Sequence, residues 1–355
     1  MKKLNNKKHL IPSLIILFLI LGFATLLNFR NSNNTDNINN STLQEEKGGP
    51  EDELHPLSIE YMRRQEYPGS EIVIEQTLPS GSSYSSYIAS YKSDGLKLYA
   101  LFTIPFGEKP KNGWPVIVFN HGYIPPAEYR NTERYVAYTD AFSRNGYIVF
   151  KPDYRGHGNS EGNPEGAYYS SAYTIDVLNA VSSIKRYKDA DSDRIGMWGH
   201  SMGGSITLRS MVVNDDIKAG VIWAGVVASY EDMAKNWRRS TPWVPSQREQ
   251  AIRRPGRQML IDKYGDFDAN PNFWNSISPI SFVRDISGPV QIHHGTADES
   301  VPLLFSQRLN EALKNARKEV EMFTYPEDDH NISANLYTAL QRSVEFFDKK
   351  LKQDL

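Results

Sequence analysis

Residues 10–29 (LIPSLIILFLILGFATLLNF) carry no charge, and Lys2, Lys3, Lys7 and Lys8 precede them while only Arg30 follows closely. A helix of that length rises about 30 Å, the thickness of a bilayer's hydrocarbon core. The pattern predicts a transmembrane anchor at 10–29, with residues 1–9 as a cytoplasmic basic tail and the rest of the chain extracytoplasmic. A cleaved secretory signal is the competing reading. The apolar run is long for one, and no clear small-x-small site follows it. Residues 31–42 (NSNNTDNINNST) are too polar to fold alone, so residues 30–83 read as an Asn-rich linker and N-terminal extension.

From residue 84 the periodicity tightens. Two β-rich runs, Tyr84–Tyr91 and Leu96–Ile104, flank Ser93-Asp94-Gly95 and predict a hairpin. Short apolar runs bounded by turns predict buried strands at Val116–Asn120, Tyr147–Pro152, Arg194–Gly199, Ile217–Val227, Pro289–His293 and Val320–Tyr325. Helices are predicted between them: Tyr135–Asn145, 168–188, Ile206–Val213, Leu303–Ala316 and Asn335–Leu351. Such alternation predicts an α/β fold, a mostly parallel sheet flanked by helices. The rhythm breaks between about 230 and 285, where Trp237, Trp243 and Trp274 sit among prolines and charges. That interval reads as a helical cap inserted into an 84–355 domain, with its tryptophans offering an apolar surface to a substrate or to the core.

Composition narrows the chemistry. The 355 residues are 39% hydrophobic and 12% aromatic, enough for a large core, and the formal charge of −2 gives no reason to expect nucleic acid. The chain has no cysteine, which excludes disulfides, thiolate metal sites, iron–sulfur clusters, a cysteine nucleophile and a lipidated-cysteine anchor. No Walker loop, His-Glu-x-x-His or calcium loop appears, so neither cofactor nor metal is expected. The glycines of Asp153–Gly162 are spaced G-x-G-x-x-x-G and run into Asn163-Pro164 rather than a helix, which argues against a nucleotide. Arg155 in that loop is expected to be structural, a substrate carboxylate being the alternative.

The sharpest signal is Gly199-His200-Ser201-Met202-Gly203, a G-x-S-x-G with a predicted strand before it and a helix after it. Such a turn lifts a serine hydroxyl off the sheet edge, which makes Ser201 the candidate nucleophile. A serine needs a base and the base an orienting acid, in the order Ser, acid, His for this topology. Downstream lie only His293, His294 and His330. The first two end a buried strand, so His330, in the loop before the last helix, is the candidate base. Asp298, just past a strand end, is the candidate acid, with Glu299, Asp328 and Asp329 as rivals. The oxyanion donors are expected to be the backbone N–H groups of Met202 and Tyr123, the latter in the loop His121-Gly122-Tyr123. His121 precedes the serine and is expected to brace that loop.

These residues together resemble the α/β-hydrolase superfamily. The stretch from Ser278-Pro279 through His294-Gly295-Thr296-Ala297-Asp298-Glu299-Ser300-Val301-Pro302 is similar to the catalytic domain of the prolyl oligopeptidase family of serine peptidases. The resemblance implies Ser201, Asp298 and His330 as the triad, agreeing with the residues' own reading. Residues 31–83 are too short for the β-propeller those peptidases carry. The expectation is an extracytoplasmic serine hydrolase acting on a peptide, ester or other small-molecule substrate. Peptidase and carboxylesterase both stay open, since the triad serves either bond. Deacylation of cell-envelope polymers and a non-catalytic surface binder on the same fold are further alternatives.

Overall fold

A computed structural model of the protein describes residues 54–237 and 247–352. The expected basic tail, the apolar segment 10–29, the Asn-rich linker and Trp243 lie outside the described residues. Among the described residues no helix is long and apolar enough to cross a membrane.

Nine strands form one sheet: β1 (Val73–Leu78), β2 (Tyr84–Ser93), β3 (Leu96–Pro105), β4 (Trp114–Asn120), β5 (Ile148–Pro152), β6 (Ala190–His200), β7 (Ile217–Trp223), β8 (Val290–Gly295) and β9 (Val320–Tyr325). Their order is β1-β2-β3-β5-β4-β6-β7-β8-β9. The first three strands and β5 pair antiparallel, and everything from β5 to β9 pairs parallel. The expected hairpin forms, with Ser93 opposite Leu96 and Asp94 and Gly95 turning at positive φ.

Helices cover both faces, which is why a central strand such as β4 is buried along nearly its whole length rather than alternating. Val116 and Val118 of β4 pack into one core with α3 (Ala172–Lys185), α4 (Met202–Val213) and α8 (Leu303–Asn315). Ile117 and Phe119 of the same strand point into the other, beneath α2 (Val136–Arg144) and α9 (Leu336–Leu351). The architecture is an α/β-hydrolase sheet. Between β7 and β8 run α5 (Tyr230–Asn236), α6 (Gln247–Tyr264), α7 (Pro271–Ile277) and a 3-10 turn at Pro279–Asp285, the helical insertion expected there.

Two features depart from the sequence expectation. The domain does not start at residue 84: α1 (Ile59–Arg63) packs on α4, and β1 adds an edge strand to β2. The buried guanidinium of Arg209 in α4 donates to the Leu57 carbonyl at 2.7 Å and the Ile277 carbonyl at 2.8 Å, tying extension and insertion to one helix. Second, β7 ends at Trp223 rather than Val227, because Ala224 turns the chain at φ +45.

Candidate active site

The candidate residues sit where the parallel strands end. Asn120 closes β4, His200 closes β6, Gly295 closes β8 and Tyr325 closes β9, and the loops that follow converge on one edge. Ser201 stands between β6 and α4 at φ +56, ψ −116, a strained conformation for a residue with a Cβ. The strain is held from both sides. Ser201 N–H donates to the Trp223 carbonyl at 2.9 Å, and its own carbonyl accepts from Gly204 and Val226 N–H. Gly203 is needed here, since a Cβ would lie 2.0 Å from the Asn120 carbonyl oxygen. Met202 is the first residue of α4, in the turn whose amides have no intrahelical acceptor.

The Asp298 carboxylate is fully buried. Its Oδ1 accepts from its own loop, Ser300 N–H at 2.8 Å and Val301 N–H at 2.9 Å, which shapes the turn after β8. Its Oδ2 lies 2.7 Å from His330 Nδ1 and 3.1 Å from His294 Nε2. Burial alone would raise the carboxyl's pKa. The hydrogen bonds from His294 and His330 outweigh it and hold the group well below the usual carboxylate range. With Nδ1–H donated to Asp298, Nε2 is the basic atom of His330.

The loop bearing His330 is stitched by the two rival acids. Asp328 accepts from Ala334 and Asn335 N–H, both at 3.0 Å, while Asp329 accepts from Asn331 and Ser333 N–H. Glu299 is exposed. The ring of His330 lies 4.6 Å from that of His200, the residue before Ser201. Asp298 and His330 are thus in contact, and the turn that bears Ser201 lies beside them. Among the described residues Ser201 Oγ forms no hydrogen bond to His330.

His293 is taken up in the core by Tyr325 Oη at 2.8 Å and Gln291 Oε1 at 2.7 Å. His294 bonds Ser306 Oγ at 2.7 Å besides touching Asp298. Sequence reasoning missed that second contact, although four-residue spacing from His294 to Asp298 was its one available sign. His121 is stacked between Tyr129 and Tyr154 with ring centroids 4.5 and 4.2 Å away, inside the loop it was expected to brace. Arg155 binds buried Asp176 at 2.6 Å and Asp94 at 2.9 Å, so its guanidinium is structural.

A cleft open to solvent adjoins the elbow, lined by Met202, Tyr123, Tyr168, Tyr169, Tyr173 and the segment from Pro164 to Ala167. Among the described residues, none of this lining comes from 230–285. Trp274 is buried with Leu57, Tyr230, Leu260 and Ile277 instead. Trp237 lies edge-on to Tyr168 and donates to the Ser300 carbonyl at 2.8 Å.

Comparison with known proteins agrees with this architecture. The chain is 26% identical over 264 residues to the uncharacterized peptidase YtmA of Bacillus subtilis, covering 73% of this chain and 91% of that protein. Among solved structures, the acylaminoacyl peptidase of Pyrococcus horikoshii superposes with a TM-score of 0.60 at 24% identity, over 77% of this chain and 43% of that one. Est1E of Butyrivibrio proteoclasticus, solved with ferulic acid, superposes at 0.53 and 22% identity, over 74% and 98%. The chain therefore spans less than half of the archaeal peptidase and nearly all of Est1E. A sequence model of the prolyl oligopeptidase family matches residues 134–354, well over half the chain. The chain belongs to the prolyl oligopeptidase family and is a serine hydrolase.

Proposed function

We propose that the enzyme cleaves peptide or acyl bonds through an acyl-enzyme formed on Ser201. His330 Nε2 takes the hydroxyl proton as Oγ attacks the carbonyl carbon, and Asp298 holds the resulting imidazolium. The N–H groups of Met202 and Tyr123 bind the oxyanion. The leaving amine or alcohol takes the proton from His330. Water then repeats the sequence on the acyl-enzyme, releasing the acid and free Ser201. The observation that carries this reading is the 2.7 Å bond from His330 to a buried, ionised Asp298, beside a serine held at positive φ. Burst kinetics with a chromogenic ester test it: wild type releases one product equivalent quickly, and Ser201→Ala none. Equal turnover in both would end it.

The tyrosine-lined cleft beside Met202 and Tyr123 favours a flat, apolar group on the acyl side. That suits an aromatic ester as well as a peptide, and a panel of aminoacyl anilides against aromatic and short-chain esters separates peptidase from carboxylesterase. The lysine-led apolar segment at 10–29 supports a membrane-anchored enzyme with its catalytic domain outside the cytoplasm. Protease accessibility of the catalytic domain in intact cells tests that placement.

A further inference from the structure

Two side chains, Tyr135 and His200, join two backbone groups in one continuous hydrogen-bonded path across the elbow. Gly122 N–H, in the loop that offers the oxyanion donor, lies 2.9 Å from Tyr135 Oη. Tyr135 Oη lies 2.8 Å from His200 Nδ1. His200 Nε2 lies 2.9 Å from the backbone carbonyl of His330.

The chemistry fixes the direction of every bond. A carbonyl only accepts, so His200 carries its proton on Nε2. Its ring is buried, and that burial keeps it neutral, its pKa pushed down to about 3. Nδ1 is then a lone pair, and the Tyr135 hydroxyl must donate to it. The hydroxyl oxygen keeps a lone pair for Gly122 N–H. Donation thus runs one way, from the oxyanion loop to the base loop, and such chains polarise each other in a low-dielectric interior.

The backbone is built around this path. Tyr135 caps the start of α2 in the left-handed region, at φ +61, a costly conformation for a tyrosine. A Cβ on Gly122 would lie 2.6 Å from Tyr135 Oη and 3.1 Å from His200 Nδ1, so only glycine lets the three groups meet. The base loop has separate ties to the acid's side, where Ala297 N–H donates to the Asp328 carbonyl at 2.9 Å. His200 supplies its tie to the nucleophile's side.

We propose that Tyr135 and His200 are positioning residues that lock the oxyanion loop and the backbone of His330 to each other across Ser201, setting the distance between the base and the oxyanion donors. The proposal rests on the Ser201–His330–Asp298 reading and adds a device that holds its parts in register. Neither residue touches the reacting atoms.

Steady-state kinetics of the full chain with one chromogenic ester tests it, using Tyr135→Phe, His200→Gln, His200→Ala and the Tyr135→Phe/His200→Gln double variant. A misplacement near 1 Å can cost about a hundredfold in rate. Tyr135→Phe should therefore lower kcat between about tenfold and a hundredfold while leaving KM in place, because no substrate contact is lost. His200→Gln keeps an N–H for the His330 carbonyl and should retain more activity than His200→Ala. The double variant should lose no more than the worse single, since a broken path cannot be broken twice. Melting curves and fluorophosphonate site counts normalise each rate to folded, labelled enzyme, so a misfolded His200→Ala leaves the Tyr135→Phe comparison intact. Wild-type kcat in Tyr135→Phe, or losses that multiply in the double variant, would overturn the proposal. Turnover or labelling of Ser201→Ala would overturn the triad reading instead, a separate outcome.

Discussion

His294 Nε2 stands 3.1 Å from Asp298 Oδ2, on the same carboxylate oxygen that binds His330. One carboxylate oxygen therefore serves two imidazoles, that of His330 in its loop and that of His294 in β8. His294 also contacts the Val301 carbonyl at 3.0 Å, so it steadies the turn that presents Asp298. A hydrogen bond to a charged group contributes about 1.5–3 kcal/mol. His294→Phe should accordingly lower kcat by roughly tenfold to a hundredfold. Asp298→Asn removes the ionised partner itself and should cost about ten-thousandfold. Matched kinetics on the two variants check the ranking. A His294→Phe enzyme as impaired as Asp298→Asn would show that His294 does more than steady the acid.

The elbow makes a prediction in the opposite direction. Ser201 is held at φ +56, a region that glycine enters without strain. Ser201→Gly should abolish turnover yet raise the unfolding free energy by about 1 kcal/mol. Calorimetry of Ser201→Gly beside Ser201→Ala isolates the backbone term, because both lose the hydroxyl. A Ser201→Gly protein that melts below Ser201→Ala would contradict it.

Stability should fall on acidification. Burial lowers the pKa of His200 and His293 to about 3 and of His157 to about 4, and holds His121 well below its ordinary value. In each case the folded pKa lies beneath the unfolded one near 6.5. The unfolded chain then binds the extra protons, and stability drops as pH falls from about 6.5 towards the folded values. Each such histidine contributes a slope of about 1.4 kcal/mol per pH unit in that window. The buried carboxyls of Asp153 and Asp176, raised by burial, pull the other way and soften the net slope. Urea midpoints between pH 7.5 and 4.5 should decline, and His293→Gln should flatten the decline. An unchanged midpoint would refute the assignment.

Arg155 and Asp176 form a buried pair that also holds Asp94 of the hairpin. Arg155→Met would strand the Asp176 carboxylate and should destabilise the fold by about 3–5 kcal/mol. Replacing both, with Asp176→Leu, should recover part of the loss. Denaturant titrations of the two singles and the double provide the cycle.

What could be read from the sequence follows how local each signal was. The elbow was legible because strand, turn and helix are contiguous through residues 190–213. The meeting of Asp298 with His330 could be anticipated because each follows a strand end by a few residues. The β1 strand was hidden: Val73 and Ile74 are exposed at 53% and 41%, so this edge strand has no buried face to alternate. Helix α1 is five residues, too short for a periodic stripe. Val226 and Val227 looked like a continuation of β7, yet they are buried in a turn that Ala224 starts. Whether the insertion's tryptophans face substrate or core stayed open in the sequence, and Trp274 takes the core. Which aromatic faces a cavity is decided by packing between distant segments.

The reach of Arg209 has a practical corollary for anyone trimming this protein. Its guanidinium is sealed inside with carbonyl oxygens for company, and one of them belongs to Leu57. Cutting the chain at residue 84 would leave that cation facing a gap on the very helix that Ser201 precedes. A minimal fragment intended to keep its activity has to start upstream of Leu57.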